Sequence, residues 1–178
     1  MAEKALNQGL VQVYTGNGKG KTTAALGLAA RAQGQGLKVH IIFFMKGGYP
    51  YGERVSLDQM PNISYQVFGH ERFVDPQNIL QEDKEQAELA MKSAREAIKS
   101  GKYDMVILDE INVASAWKLI DVEDVLKMIK GKPDSVELVL TGRYADPRVI
   151  DKAELVTEIA EIKHPYKQGI PARRGIEY

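Results

Sequence analysis

The sequence contains no cysteine among its 178 residues. Disulfide bonds, thiolate metal sites and a cysteine nucleophile are therefore excluded. No stretch approaches the roughly 20 apolar residues of a membrane-spanning helix, and residues Met1 to Gln8 lack the apolar core of a secretory signal. We therefore expect a cytoplasmic protein without a membrane partner.

The sequence also has no excess of either charge. Its 24 basic and 24 acidic residues cancel, so no field of the whole protein would attract DNA, RNA or an anionic membrane. We expect no nucleic-acid partner. The three histidines, His40, His70 and His164, form no metal-binding cluster in the sequence, and the single tryptophan, Trp117, is expected to pack in the core.

Short apolar runs alternate with helical patterns along the chain. The runs that predict strands are Leu10–Tyr14, Val39–Met45, Ile63–Phe68, Met105–Leu108, Val136–Leu140 and Leu155–Ile162. The segments that predict helices are one after residue 23 that ends near Gly34 to Gly36, one from Ile79 to about Ser100, Val122–Ile129 and Asp146–Ala153. Irregular structure is expected for Lys46–Arg54, Gly69–Asn78 and Lys163–Tyr178.

This alternation predicts an α/β fold: a doubly wound, mostly parallel sheet with helices on both faces. A chain of this length fits one domain, residues 1–178. In such sheets ligands bind at the carboxyl ends of the strands. The residues that follow each strand therefore matter most for function.

The first strand runs directly into a glycine-rich loop, residues 15–23, with the sequence TGNGKGKTT. In a phosphate-binding loop (P-loop), backbone N–H groups surround a phosphate, a lysine neutralises it and the next hydroxyl reaches Mg²⁺. Gly20-Lys21-Thr22 supplies that ending, although Thr15 stands where the motif has its first glycine. The preceding strand and the following helix favour a P-loop over a glycine-rich turn without a ligand.

Polar side chains follow two further core strands. Asp109 and Glu110 come after Met105–Leu108, where a carboxylate can hold Mg²⁺ or merely cap a helix; with a P-loop present, the magnesium role is favoured. Arg143 follows the strand that ends at Leu140, and its alternatives are a phosphate or ribose contact and a surface ion pair. Arg31, three turns into the first helix, either bends back to the nucleotide or faces solvent.

Taken together, these motifs resemble the ATP:cob(I)alamin (corrinoid) adenosyltransferases of the P-loop type, from about Gly9 to Tyr178. The matching residues are Thr15 to Thr23 with Ala24-Ala25, Lys46-Gly47, Gly52-Glu53-Arg54, Leu108-Asp109-Glu110, Thr141-Gly142-Arg143, Lys163-His164, Gly169, Ala172 and Gly175-Ile176-Glu177-Tyr178. The threonine in place of the first P-loop glycine is the family's own form.

The resemblance implies a RecA-like P-loop NTPase fold, a homodimer, and a defined reaction. The 5′-deoxyadenosyl group of ATP would pass to Co(I) of a reduced corrinoid, with release of triphosphate. In the family, ATP lies reversed in the P-loop, so that C5′ faces the cobalt. A reductase would supply the Co(I).

The resemblance also implies roles for individual residues. The expected nucleotide ligands are Asn17, Gly18, Lys19, Gly20, Lys21, Thr22, Thr23, Arg31 and Arg143. Lys21 would act in catalysis by neutralising the triphosphate, and Thr22 with Glu110 would bind the Mg²⁺ that accompanies ATP.

A second catalytic role concerns the reduction of cobalt. Some members of the family carry a Phe-x-Trp pair after the third strand, whose side chains displace the lower ligand of cobalt so that Co(II) is reduced more easily. This sequence has Arg72-Phe73-Val74 in that region and no tryptophan there. We predict that Phe73 does this work from a slightly different position.

Two other functions are compatible with the P-loop alone. A kinase or hydrolysing ATPase would use Glu110 to position its acceptor or water and would leave ADP. A non-enzymatic nucleotide switch would instead change the order of the loop Lys46–Arg54 on nucleotide binding. The nucleotide product distinguishes the three functions.

Overall fold

The computed structural model describes residues 6–48 and 50–178. Its strands are β1 Val11–Thr15, β2 Val39–Phe43, β3 Ile63–Val67, β4 Met105–Asp109, β5 Glu137–Thr141 and β6 Leu155–Glu158. They form one six-stranded sheet in the order β3-β2-β4-β5-β1-β6. Every neighbouring pair of strands is parallel.

The connections between the strands are mostly helical. The helices are α1 Lys21–Gly34, α2 Gly52–Leu57, α3 Gln81–Lys99, α4 Ile111–Ala116, α5 Val122–Lys130 and α6 Pro147–Lys152, with a 3₁₀ turn at Pro165–Gln168. Side chains of Asp121 and Asp146 accept backbone hydrogen bonds at the starts of α5 and α6, as expected of aspartate at a helix N-terminus. None of the helices in the described ranges is both long and apolar enough to cross a bilayer.

Alternate side chains of the central strands enter two separate apolar layers. Val106 and Leu108 of β4 pack in the layer beneath α3, whereas Met105 and Ile107 pack in the layer beneath α1. This two-residue period is that of a strand covered on both faces. The predicted fold class is therefore confirmed. Trp117 is partly buried against the α3 layer, as predicted.

Most of the predicted elements agree with the observed ones within two residues, and three differences have physical causes. Strand β6 ends at Glu158 rather than Ile162, because the backbone of Ile159 turns to meet the P-loop. The predicted loop Lys46–Arg54 contains the start of α2, and α4 has no counterpart among the predictions. Neither short helix has a side-chain hydrogen bond at its N-terminal cap. Tyr49 lies outside the described residues.

The sheet order places four strand ends side by side, in the sequence β2, β4, β5, β1. Phe43 is in register with Asp109, and Tyr14 with Thr141. The segments that follow these strands therefore converge at one edge of the sheet, which is where a parallel α/β sheet binds its ligands.

Candidate nucleotide site

The P-loop connects β1 to α1 and is shaped by the segment after β6. A Cβ on Gly18 would lie 2.6 Å from the carbonyl oxygen of Ala160, so only glycine fits there. The N–H of Gly18 donates to the carbonyl of Ile159 over 2.7 Å. Gly20 has a φ of 122°, which disfavours any residue with a Cβ. The loop thus takes its shape from its glycines and from residues 159–160.

Lys21 folds over the P-loop. Its Nζ donates to the carbonyl oxygens of Gly16 and Gly18 over 2.8 and 2.7 Å, and the residue is only 7% exposed. Burial lowers the pKa of Lys21 below its ordinary value, and the Glu110 carboxylate opposes that shift. The ammonium group is therefore held where it can meet a phosphate in the loop.

Two adjacent carboxylates end β4 and begin α4. Asp109 is 1% exposed, and its Oδ1 accepts from the hydroxyl of Thr141 over 2.7 Å. The same hydroxyl accepts from the N–H of Glu110 over 3.0 Å. Burial, and then the neighbouring Asp109, raise the pKa of Glu110, while three nearby cations oppose that shift. This pair of negative charges needs compensation by cations.

Lys46, three residues after β2, supplies part of that compensation. Its Nζ lies 2.6 Å from Oδ2 of Asp109, so the two side chains form an ion pair. It also donates to the hydroxyl of Thr22 over 3.4 Å. Burial disfavours the charged form of Lys46, but Asp109, together with Glu110 and Tyr51, outweighs burial and raises the pKa of Lys46 above its ordinary value.

The oxygen atoms here suit Mg²⁺. The Thr22 hydroxyl and Oδ2 of Asp109 both contact Lys46, and the Glu110 carboxylate acts on the same ammonium. Mg²⁺ is usually held by one or two carboxylates, with phosphate and water oxygens completing its octahedron. The described residues contain no cluster of three or more His, Asp or Glu side chains that could hold a metal. The donors therefore fit an ion that arrives with a phosphate ligand.

These groups open onto a cavity of about 730 Å³. That volume is within the range of about 300–1,000 Å³ usual for small-molecule sites. The lining residues are Gly18, Lys19, Gly20, Lys21, Thr22, Thr23, Leu26, Lys46, Tyr51, Gly52, Glu53, Ser56, Glu110, Arg143, His164, Gly175, Ile176, Glu177 and Tyr178.

This chain matches the model of a known protein family. The family model described as ATP:corrinoid adenosyltransferase BtuR/CobO/CobP matches residues 7–178. The chain belongs to this family. The resemblance seen in the sequence motifs is thereby confirmed.

Named relatives support the same adenosyltransferase family over the full length of this chain. A corrinoid adenosyltransferase of Pseudomonas aeruginosa is 37% identical over 100% of this chain and 88% of its own length. Proteins with the same name from a Sinorhizobium species and from Escherichia coli K12 are 38% and 34% identical, again over 100% of this chain, with 84% and 90% of their own lengths covered.

A solved structure supports the fold. The crystal structure of the RadB recombinase is similar with a TM-score of 0.54, covering 90% of this chain and 78% of that chain. At 13% identity the likeness concerns the fold alone. It agrees with the predicted RecA-like arrangement of this adenosyltransferase-family chain.

Eight of the residues expected to bind nucleotide or metal in this adenosyltransferase-family chain line the cavity. They are Gly18, Lys19, Gly20, Lys21, Thr22, Thr23, Glu110 and Arg143. Asn17 and Arg31 are exposed and are not among the lining residues, and Phe73 is 77% exposed on the loop after β3. The roles of these three residues, like those of the eight that line the cavity, stay predictions.

The C-terminal segment, residues 175–178, closes one side of the cavity. Lys19 donates to the carbonyl of Ile176 over 3.0 Å and to Oε1 of Glu177 over 2.9 Å. Hydrogen bonds from Arg173, and then from Lys19, lower the pKa of Glu177 to about 2. Lys19 is thus tied to the tail in this structure, which its place in the P-loop motif does not indicate.

The sequence patterns indicate no individual role for Lys46 or the tail, although both belong to the matching motifs of the adenosyltransferase family. The sequence offers only a partial signal for Lys46, which follows a predicted strand; the pairing of β2 with β4 that brings it to Asp109 is visible only in the sheet. The tail offered no comparable signal, since 157 residues separate Lys19 from Ile176.

Proposed function

We propose that this protein transfers the 5′-deoxyadenosyl group of ATP to Co(I) of a reduced corrinoid and releases triphosphate. The observation that carries the proposal is a cavity lined by the P-loop, Glu110 and Arg143 in a member of the ATP:corrinoid adenosyltransferase family. The relatives named above bear the name corrinoid adenosyltransferase.

The proposed reaction requires little acid–base catalysis by the protein. Co(I) is a strong nucleophile; its electron pair forms the bond to C5′ while the bond from C5′ to the triphosphate oxygen breaks and its electrons leave with the triphosphate. No general base is needed to activate this nucleophile. The protein must position C5′ and stabilise the leaving group.

The residues around the cavity provide that stabilisation. The P-loop backbone and Lys21 bind the triphosphate, and Arg143 adds a second cation near it. Thr22 and Glu110 would hold Mg²⁺ together with the nucleotide, and the ion would supply neutralisation of phosphate charge. Each of these groups stabilises the negative charge that increases on the triphosphate as it leaves.

We place the corrinoid in a second cavity of about 730 Å³, which shares Tyr51, Gly52, Gly175 and Tyr178 with the first. Its other lining residues are Pro50, Arg54, Val55 and Arg174. Rings and an exposed apolar side chain, Val55, suit a large flat ligand. The loop with Phe73 lies near this side, because Glu71 packs against Gly48.

Further parts of the proposal rest on the family resemblance and on composition. The chain works as a single domain and as a homodimer, receives Co(I) through a reductase, and acts in the cytoplasm. The absence of cysteine is compatible with that location.

One assay tests the reaction. The protein is incubated with ATP, Mg²⁺ and a chemically reduced corrinoid, while nucleotide products are separated and the visible spectrum is followed for a new cobalt–carbon bond. We expect corrinoid-dependent triphosphate in equal amount to the alkylated product. ADP instead would favour a kinase or ATPase, and binding without turnover would favour a nucleotide switch.

A further inference from the structure

The ammonium group of Lys46 lies between two side chains of the kind that hold Mg²⁺ in P-loop proteins. Its Nζ is 3.4 Å from the hydroxyl of Thr22 and 2.6 Å from Oδ2 of Asp109. P-loop proteins bind the metal with the hydroxyl after the P-loop lysine and with a carboxylate at the end of a nearby strand. A lysine thus stands where a divalent cation is expected.

Asp109 offers a single oxygen to any incoming cation. Its Oδ1 already accepts from Thr141 over 2.7 Å, while Oδ2 is buried and lies 2.6 Å from Nζ of Lys46. Two cations on one oxygen would repel each other strongly in such a poorly solvated place. The metal and Lys46 cannot both occupy Oδ2 at low cost.

We propose that Lys46 competes with the divalent cation for Asp109, so that metal loading displaces the Lys46 ammonium. The inference rests on the proposed function, since it takes ATP with Mg²⁺ as the ligand. It adds Asp109 to the metal-binding groups, and it makes Lys46 a positioning residue that occupies the site until the nucleotide arrives.

The backbone of Lys46 is held by hydrogen bonds, while its ammonium group lies beside two aromatic rings. The N–H of Lys46 donates to the carbonyl of Phe68 over 2.9 Å, and its carbonyl accepts from the guanidinium of Arg54. The rings of Phe43 and Tyr51 lie 5.4 and 5.0 Å from Nζ. Aromatic faces at these distances stabilise an ammonium, so the two rings favour a charged Lys46 beside the metal site.

Competition between Lys46 and the metal explains how the negative charge of the buried carboxylates is balanced both before and after the nucleotide binds. Without ligand, Lys46 neutralises Asp109, whose uncompensated burial would strongly destabilise the fold. When ATP binds, its phosphate oxygens would supply further ligands to the metal. Their negative charge would also attract the Lys46 ammonium that the metal displaces. Metal ions alone should therefore bind weakly, and should bind well only together with the nucleotide.

The experiment measures Mn²⁺ binding to the nucleotide-free protein from the electron paramagnetic resonance signal of the free ion. We expect Lys46→Met to bind Mn²⁺ at least about fivefold more tightly than wild type, the lower end of usual coupling between competing ligands. Lys46→Arg keeps the cation and is the matched control, with no gain in affinity. Asp109→Asn should lose affinity, and should also cancel the gain when combined with Lys46→Met.

Equal or weaker Mn²⁺ binding by folded Lys46→Met would overturn the inference. If that variant unfolds without metal, its thermal unfolding is followed as Mn²⁺ is added, and we expect a larger stabilisation than in wild type. Unchanged Mn²⁺ affinity in Asp109→Asn would overturn the inference independently. None of these measurements uses turnover, so failure of the proposed reaction is detected separately by the triphosphate assay on wild type.

Discussion

The nucleotide side of the cavity and its acceptor side are built differently. On the nucleotide side, Lys21 and Asp109 are almost fully buried and bonded to neighbouring groups. On the acceptor side, Phe73 is 77% exposed and Val55 is 64% exposed. Groups held in place before the reaction can stabilise a transition state without reorganising. The proposed triphosphate cradle is thus organised by the fold, whereas the proposed acceptor surface presents exposed apolar side chains.

The difference implies that substitutions on the two sides should have different consequences. Changes to the buried network should affect both the fold and the leaving-group step. Changes on the acceptor surface should leave the fold intact and affect only the part of the reaction that involves the corrinoid.

The largest effect is expected for Lys21→Ala. Loss of the cation that faces the leaving triphosphate should lower kcat/KM for adenosyl transfer by about 100-fold or more, the usual cost of one electrostatic stabiliser. The assay is the triphosphate measurement described above, with circular dichroism to verify the fold. Lys19→Ala is the matched control from the same loop, because Lys19 contacts the tail; its loss should be much smaller. A near-normal rate in Lys21→Ala would contradict the role of Lys21.

The second prediction tests the buried network. Thr141→Val keeps the shape of the side chain but removes the partner of Asp109 Oδ1 and of the Glu110 N–H. The free energy of unfolding should fall by about 1–3 kcal/mol, the cost of buried polar groups left without partners.

Urea unfolding measures this change, and Thr157→Val in the edge strand β6 is its matched control. Thr157 is exposed, so its substitution should change stability by no more than about 0.5 kcal/mol. Equal stability of the two variants would mean that the Thr141 hydroxyl does not support the carboxylate pair.

The sequence predicts the strand ends well because the signals there are local. Residues 15–23 carry their glycines, lysine and hydroxyl within one loop, and Asp109 directly continues an apolar run. The contact between Lys46 and Asp109 depends on β2 lying beside β4, which is a property of sheet order rather than of either segment. The contact between Lys19 and Glu177 depends on the path of the whole tail.

The sequence patterns also do not predict the short helices α2 and α4. Helix α2 has six residues, and no side-chain hydrogen bond caps its start. Helix α4 starts after Glu110. The backbone of Glu110 is left-handed, with a φ of 66°, which is uncommon for a residue other than glycine. Helices this short take much of their stability from packing, so periodicity alone does not predict α2 and α4. The equally short α6 carries a local signal, since Asp146 caps its start and Pro147 occupies its first turn.

The third prediction tests the acceptor side. Phe73→Ala should leave unfolding unchanged within about 0.5 kcal/mol, because the side chain is exposed. Adenosylation that starts from Co(II) with a reductant should slow about three- to tenfold, corresponding to one aromatic contact. The reaction from pre-reduced Co(I) should be nearly unaffected.

Leu89→Ala is the control for Phe73→Ala, since Leu89 is another exposed apolar residue, placed on α3. It should be neutral in both reactions. An equal loss from Co(I) and Co(II) in Phe73→Ala would contradict a role in displacing the lower ligand of cobalt.

The smallest effect is expected at the tail, where Glu177→Gln removes a charge from the pairs with Arg173 and Lys19. Exposed ion pairs contribute little, so KM for ATP should rise at most about fivefold with kcat unchanged. Glu123→Gln, which breaks an exposed pair with Arg148 outside the cavity, should leave KM unchanged.

The pH dependence of the tail separates its charge from its shape. Arg173, and then Lys19, lower the pKa of Glu177 to about 2, so the contribution of these pairs is complete above the ordinary glutamate pKa and is lost only as the pH falls towards 2. The ratio of KM values between Glu177→Gln and wild type should therefore be constant between about pH 5 and 8. A ratio that shrinks towards pH 5 would show that Glu177 already takes up a proton there. The tail would then be held more weakly than its contacts indicate, and the cavity would open on that side as well as on the corrinoid side.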